Sequence, residues 1–75
     1  MNDKFLALLR VANLVKIEFG ASSYEVYPYY DGAYSVLFRF RKSLRLSKLS
    51  IVIGDFPALV YAEDDLMIVR IDSKE

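Results

Sequence analysis

Over the first twenty positions, apolar residues recur at helical spacing. Phe5, Leu8, Leu9, Ala12, Val15 and Phe19 share one side, Asn2 or Asp3 can cap the start, and Gly20 supplies a stop. The end of this helix is ambiguous, because Leu14 to Phe19 also alternates, with Val15, Ile17 and Phe19 opposed to Leu14, Lys16 and Glu18. The helix therefore ends either near Asn13 or at Phe19. In the longer form, Leu6, Leu14 and Ile17 make a second, weaker apolar strip, broken by Arg10 and Asn13, that needs a cover.

From Tyr24 onward the pattern has period two or is continuously apolar, with turn signals at Asp31-Gly32, Gly54-Asp55 and Glu63-Asp64-Asp65. It predicts strands over 24–30, 33–41, 48–53, 58–62 and 66–72, with 41–47 either a connection or the prolongation of a strand. Ile51, Val52 and Ile53 are apolar without alternation, as in a strand covered on both faces, either by a partner chain or by the connection folding over. Short separations favour antiparallel neighbours. The expected fold is α+β, a single compact domain over 1–75 with one N-terminal helix packed on an antiparallel sheet of about four to five strands.

The hairpin around Asp31-Gly32 has two competing registers. A two-residue turn pairs Tyr30 with Ala33 and sets Glu25 opposite Phe38, which puts a carboxylate in the apolar layer. A three-residue loop, with Gly32 in the left-handed position, pairs Tyr29 with Ala33 instead. Tyr24, Val26, Pro28, Tyr34, Val36, Phe38 and Phe40 then share one uncharged face, and this register is preferred. Its other face carries Glu25, Tyr27, Tyr29, Ser35, Leu37, Arg39 and Arg41, with Glu25 diagonal to Arg39. Tyr24 and Tyr34 are expected in the core, and Tyr27 and Tyr29 are expected to be exposed beside arginines. Pro28 cannot donate to a ladder, which marks its strand as an edge, a strand start or a bulge.

Length changes the picture most. A chain of 75 residues sits near the lower limit of independent stability, and without Cys it has neither disulfides nor thiolate zinc sites to reinforce a small core. The 55% hydrophobic composition then points to dense packing or to burial against another chain, including a homo-oligomer. With no His and no Cys, no Gly-rich phosphate loop and too little chain to enclose a pocket of several hundred cubic ångströms, an enzyme, a small-molecule substrate and a cofactor are not expected. The run Glu63-Asp64-Asp65 lacks the spacing and glycine of a calcium loop, so no metal site is assigned.

Arg39, Arg41, Lys42, Arg45 and Lys48 form a basic stretch without acids, followed by an acidic C-terminal third. Protein binding through Tyr27, Tyr29, Arg39 and Arg41 is the leading functional expectation, as a self-associating adaptor or an inhibitor that covers a partner surface. The alternative is a single-stranded nucleic-acid-binding module using Arg39, Arg41, Lys42, Arg45 and Lys48, with the tyrosines stacking on bases. The chain's zero formal net charge weighs against that alternative. Phe5 to Leu9 is too short to span a bilayer and no cleavage pattern follows, so the expected setting is cytoplasmic, without membrane attachment.

Overall fold

The computed structural model describes residues 3–28, 33–41 and 44–73. The elements run α1 (Asp3–Phe19), β1 (Ser23–Pro28), β2 (Tyr34–Phe40), α2 (Leu46–Ile53), β3 (Ala58–Glu63) and β4 (Leu66–Asp72). The fold is α+β, with a four-stranded antiparallel sheet in the order β1-β2-β4-β3. Both helices pack on the same face, since Leu8, Ala12 and Val15 of α1 and Leu49 and Ile53 of α2 join Val36, Phe38, Phe40, Val69 and Ile71 in one core cluster.

Helix α1 takes the longer of its two forms. As a helix, Val15 and Phe19 are one turn apart and both reach the sheet. The consequence is that Ile17 turns outward and is 68% exposed, with Leu6 and Leu14 also exposed. Gly20, at φ 67°, closes the helix by donating its N–H to the Lys16 carbonyl at 3.0 Å. Asn2, the other candidate cap, lies outside the described residues.

The hairpin adopts the three-residue-loop register. Tyr24 pairs with Phe38, Val26 with Val36 and Pro28 with Tyr34, all on the helix-facing side. The reason is the one that the sequence supplies: this register keeps Glu25 out of the apolar layer. Tyr24 and Tyr34 lie on the core side, yet neither is fully enclosed. Tyr24, on the edge strand, is 38% exposed, its ring stacked 5.7 Å from Phe38 and capped by the Lys16 ammonium at 5.2 Å. Tyr34 is half-buried, its ring 4.1 Å from that of Phe5. Residues 29–32, Tyr29 among them, lie outside the described residues.

Residues 48–53, expected as a strand, belong instead to α2. An uninterrupted apolar run of this length has no period that separates strand from helix. The decisive spacing is that of Leu49 and Ile53, which lie one turn apart and enter the core, while Leu46, Ser47, Lys48, Ser50 and Ile51 stay exposed. Ile51, at 80% exposure, needs no second cover of the kind a central strand would require. Gly54 ends α2 at φ 66° and ψ −128°, a conformation open mainly to glycine.

Strand order departs from the expected succession of neighbours. β3 and β4 form a hairpin across Asp64-Asp65, with Glu63 paired to Leu66, and Asp64 takes a left-handed φ of 56°. β4 then inserts beside β2, pairing Val36 with Ile71 and Phe38 with Val69. The connection through α2 thus crosses over β4 to reach β3 at the far edge. Ser73 closes the junction, accepting the Tyr34 N–H on its Oγ and donating its own N–H to the Tyr34 carbonyl, both at 2.8 Å. Pro28 marks an edge strand as expected, and β1 and β3 are the two edges, exposed along their whole lengths.

Two substitutions test this arrangement in urea denaturation. Ile51→Ala is expected to change stability by no more than about 0.5 kcal/mol, as for an exposed helix position. Phe38→Ala is expected to cost about 3–5 kcal/mol, the loss for a fully enclosed ring, and to leave little folded protein. An Ile51→Ala loss of core magnitude would contradict the placement of α2.

Candidate protein-interaction surface

Side chains alternate across a strand, so every residue between the core positions of the sheet points away from both helices. Pairing arranges them in rows. Glu25, Leu37, Arg70 and Leu59 run across the sheet in one row, and Ser23, Arg39, Ile68 and Tyr61 in the next. Tyr27, Ser35 and Asp72 make a third. No described helix covers this face.

The face combines apolar residues with two carboxylates, each held by one hydroxyl and one guanidinium. Glu25 accepts from the Tyr27 hydroxyl and, at 2.8 Å, from Arg39 Nη1. Asp72 accepts from the Ser35 hydroxyl and, at 3.3 Å, from Arg70 Nη2. These pairs leave the longer stems lying beside Leu37 and Ile68. Ile68 is only 2% exposed although it stands outside the core cluster; its cross-strand neighbours are Arg39 and Tyr61, side chains long enough to shield it. Tyr27 on the β1 edge and Leu59 and Tyr61 on the β3 edge stay exposed.

Electrostatics follow from the first of these networks. Hydrogen bonds from Tyr27 and then Arg39 hold the Glu25 carboxyl below its ordinary pKa, and the same contact with Glu25 raises that of Tyr27 and that of Arg39. The group is solvent-exposed, so its worth is that of a surface cluster, positioning Tyr27 and Arg39 more than stabilising the fold.

The candidate residues are only partly brought together. Tyr27 and Arg39 are joined through Glu25, and Arg41 is exposed just past the end of β2. Tyr29 and Lys42 lie outside the described residues. Arg45 precedes α2 and Lys48 is exposed on it, in the helical layer, whereas Arg39 rises from the opposite side of the sheet. The basic stretch therefore does not present Arg39 and Lys48 on one face. The hairpin register places Leu37 on this face as expected, whereas sequence reasoning missed Leu59, Tyr61, Ile68, Arg70 and Asp72 as members of this surface. The acidic turn supplies the β3–β4 register, which aligns Leu59, Tyr61, Ile68 and Arg70, but the β2–β4 pairing that joins them to Arg39 has no local signal.

Two clefts open on the helical side. One of about 370 Å³, open to solvent, is lined by Asp3, Lys4, Ala7, Asp55, Phe56, Pro57 and Ser73. The other, of about 270 Å³, lies between α2 and β3. Among the described residues no group of His, Cys, Asp and Glu side chains is placed to hold a metal ion, and no helix is long and apolar enough to cross a membrane. Compared with protein-family models, characterised proteins and solved structures, the chain matches none of them.

The Glu25 network has a definite pH signature. Because the folded carboxyl binds its proton less readily than the unfolded one, stability from this contact is present above the ordinary glutamate pKa and is lost as pH falls through the lowered folded value. The stability difference between the native chain and Glu25→Gln, measured by urea denaturation at a series of pH values, is expected to be level near neutrality and to shrink under acid. A difference that grows on acidification would contradict the assignment.

Proposed function

We propose that this chain is a small non-enzymatic protein-interaction domain, acting as an adaptor or inhibitor by laying the helix-free face of its sheet on a partner protein. The observation that supports the reading is that face itself. It exposes Tyr27, Leu59 and Tyr61 around a centre of Leu37 and Ile68, and it holds Arg39 and Arg70 in fixed ion pairs. Tyrosine and arginine dominate binding hot spots because each offers a large flat contact at low entropic cost together with a polar end. Arginines already paired within the sheet are pre-organised, which lowers the cost of docking. Tyr27, Arg39 and Arg41 remain the residues proposed to contact the partner, and Tyr29 is retained with them.

The second reading, single-stranded nucleic-acid binding through Arg39, Arg41, Lys42, Arg45 and Lys48, receives less support. Arg39 is neutralised by Glu25 and Lys48 stands in the other layer. Phosphate recognition is strengthened by several unneutralised cations along one track.

A photo-crosslinking residue placed at position 27 is expected to give one protein adduct that excess native chain competes away and that Arg39→Ala weakens at least about tenfold, the loss typical of a hot-spot arginine. The same residue at position 51, on the outer side of α2, is expected to give none. An adduct at 51 and none at 27 would overturn the reading. In parallel, a single-stranded oligonucleotide of mixed sequence is expected not to bind at micromolar protein. Binding that salt abolishes and that Arg39→Ala/Arg41→Ala removes would put the second reading first.

A further inference from the structure

Strand β3 is an edge without the usual guards. From Ala58 to Ala62 it carries no charge, no proline and no bulge, and every residue is exposed. Natural edges of this length are normally blunted by lysine, proline or a covering loop, because a free row of N–H and C=O groups pairs with any compatible strand. The β1 edge has such guards in Pro28 and in the Glu25–Arg39 pair.

The direction of the free groups can be read from one hydrogen bond. Asp72 donates its N–H to the Pro57 carbonyl at 2.9 Å. Antiparallel pairs alternate between bonded and non-bonded, so Leu59, Tyr61 and Glu63 also turn their backbone groups towards β4, and Ala58, Val60 and Ala62 turn theirs outward. An incoming antiparallel strand must bond at those outward positions.

We propose that the occupant of this edge is the β3 strand of a second copy of this chain, the two paired antiparallel about a two-fold axis through Val60. In this register Ala58 bonds to Ala62 of the second copy, Val60 to Val60 of the second copy, and Ala62 to Ala58 of the second copy. On the helix-free face Leu59 then opposes Tyr61 of the second copy, and Tyr61 opposes its Leu59, an apolar–aromatic match made in duplicate. The segment Ala58-Leu59-Val60-Tyr61-Ala62 is thus close to a palindrome in size and polarity, which is what an isologous contact demands. No charge is buried: Glu63 falls opposite Pro57, and Asp65 and Asp55 lie beyond the paired stretch, where their like sign ends it.

The helical side has room for the joint. Because the axis stands perpendicular to the sheet, both copies keep their helices on the same side, and the α2–β3 cleft of each faces the other. That cleft is mostly apolar, lined by Leu46, Leu49, Ile53, Phe56 and Val60 beside Ser50, and the small Ala58 on β3 keeps it open. Leu46 and Val60, both exposed in the single chain, are the residues that the joint covers. The pair is one continuous sheet whose helix-free faces merge. This inference rests on reading the chain as an interaction domain and shares Leu59 and Tyr61 with that face, whereas Tyr27 and Arg39 lie on β1 and β2 away from the joint, so variants at those two positions distinguish failure of one from failure of the other.

Sedimentation equilibrium over a concentration series tests it, with far-UV circular dichroism as the check on folding. The native chain is expected to be a reversible dimer, no weaker at high salt. Ala62→Pro removes only an outward N–H, so it is expected to stay folded and to raise the dimer dissociation constant at least about tenfold. Leu59→Lys and Tyr61→Glu are each expected to weaken the dimer, and the double variant to regain it, since each new lysine meets a glutamate of the second copy only in the Val60-centred register. Tyr27→Ala and Arg39→Ala are expected to leave it intact. A folded native chain that stays monomeric to millimolar concentration, or a dimer indifferent to Ala62→Pro, would overturn the proposal; failure of the double variant to recover would overturn the register.

Discussion

The pairing of β2 with β4 is the interaction on which the rest of this molecule depends. It joins segments far apart in the chain, and it sets Val36, Phe38 and Phe40 beside Ile71, Val69 and Met67, the apolar floor onto which Leu8, Ala12, Val15, Leu49 and Ile53 close. Fully enclosing such side chains contributes about 1.5–3 kcal/mol apiece, and a domain this small has few of them. β1 and β3 add backbone pairing on either flank but no enclosed residue of their own. The sheet is consequently asymmetric: a closed centre on one side, and on the other an uncovered face bounded by two exposed edges.

Two helices are enough for one face of a four-stranded sheet and leave none for the other. The uncovered face is kept compatible with water by its paired ions: Arg39 with Glu25 and Arg70 with Asp72 frame Leu37 and Ile68. The same arrangement leaves Tyr27 and Tyr61 exposed at opposite edges of the face. In the proposed dimer the β3 edge would associate through backbone groups, specified by register more than by side-chain chemistry.

Much of the fold was legible because local signals agreed. The N-terminal helix followed from the spacing of Leu8, Ala12 and Val15, and the hairpin register followed from one question, on which face Glu25 would fall. The β3–β4 hairpin was marked by its acidic turn. The segment around Ile51 was not legible, because an apolar run with no period is resolved only by what packs against it, and Leu49 and Ile53 owe their inward direction to tertiary contact. The strand order was hidden for the same reason: β4 lies beside β2 through non-local packing. At the candidate site, Tyr27, Glu25 and Arg39 were found together because one hairpin holds them all. Leu59, Tyr61 and Arg70 were missed because they reach that face only through β4, and the division of the basic stretch was not legible because Arg45 caps and Lys48 sits on α2, while Arg39 stays on the sheet.

β3 is an open edge whose outward backbone groups are at Ala58, Val60 and Ala62. Residue-resolved amide hydrogen exchange, followed from dilute to concentrated solution, tests it most directly. The amides of Leu59, Tyr61 and Glu63, bonded to β4, should be protected at every concentration, while those of Val60 and Ala62 should exchange freely when dilute and become protected on concentration. Free exchange at Val60 and Ala62 in the most concentrated sample, or protection at those positions already present in the dilute monomer, would contradict the account.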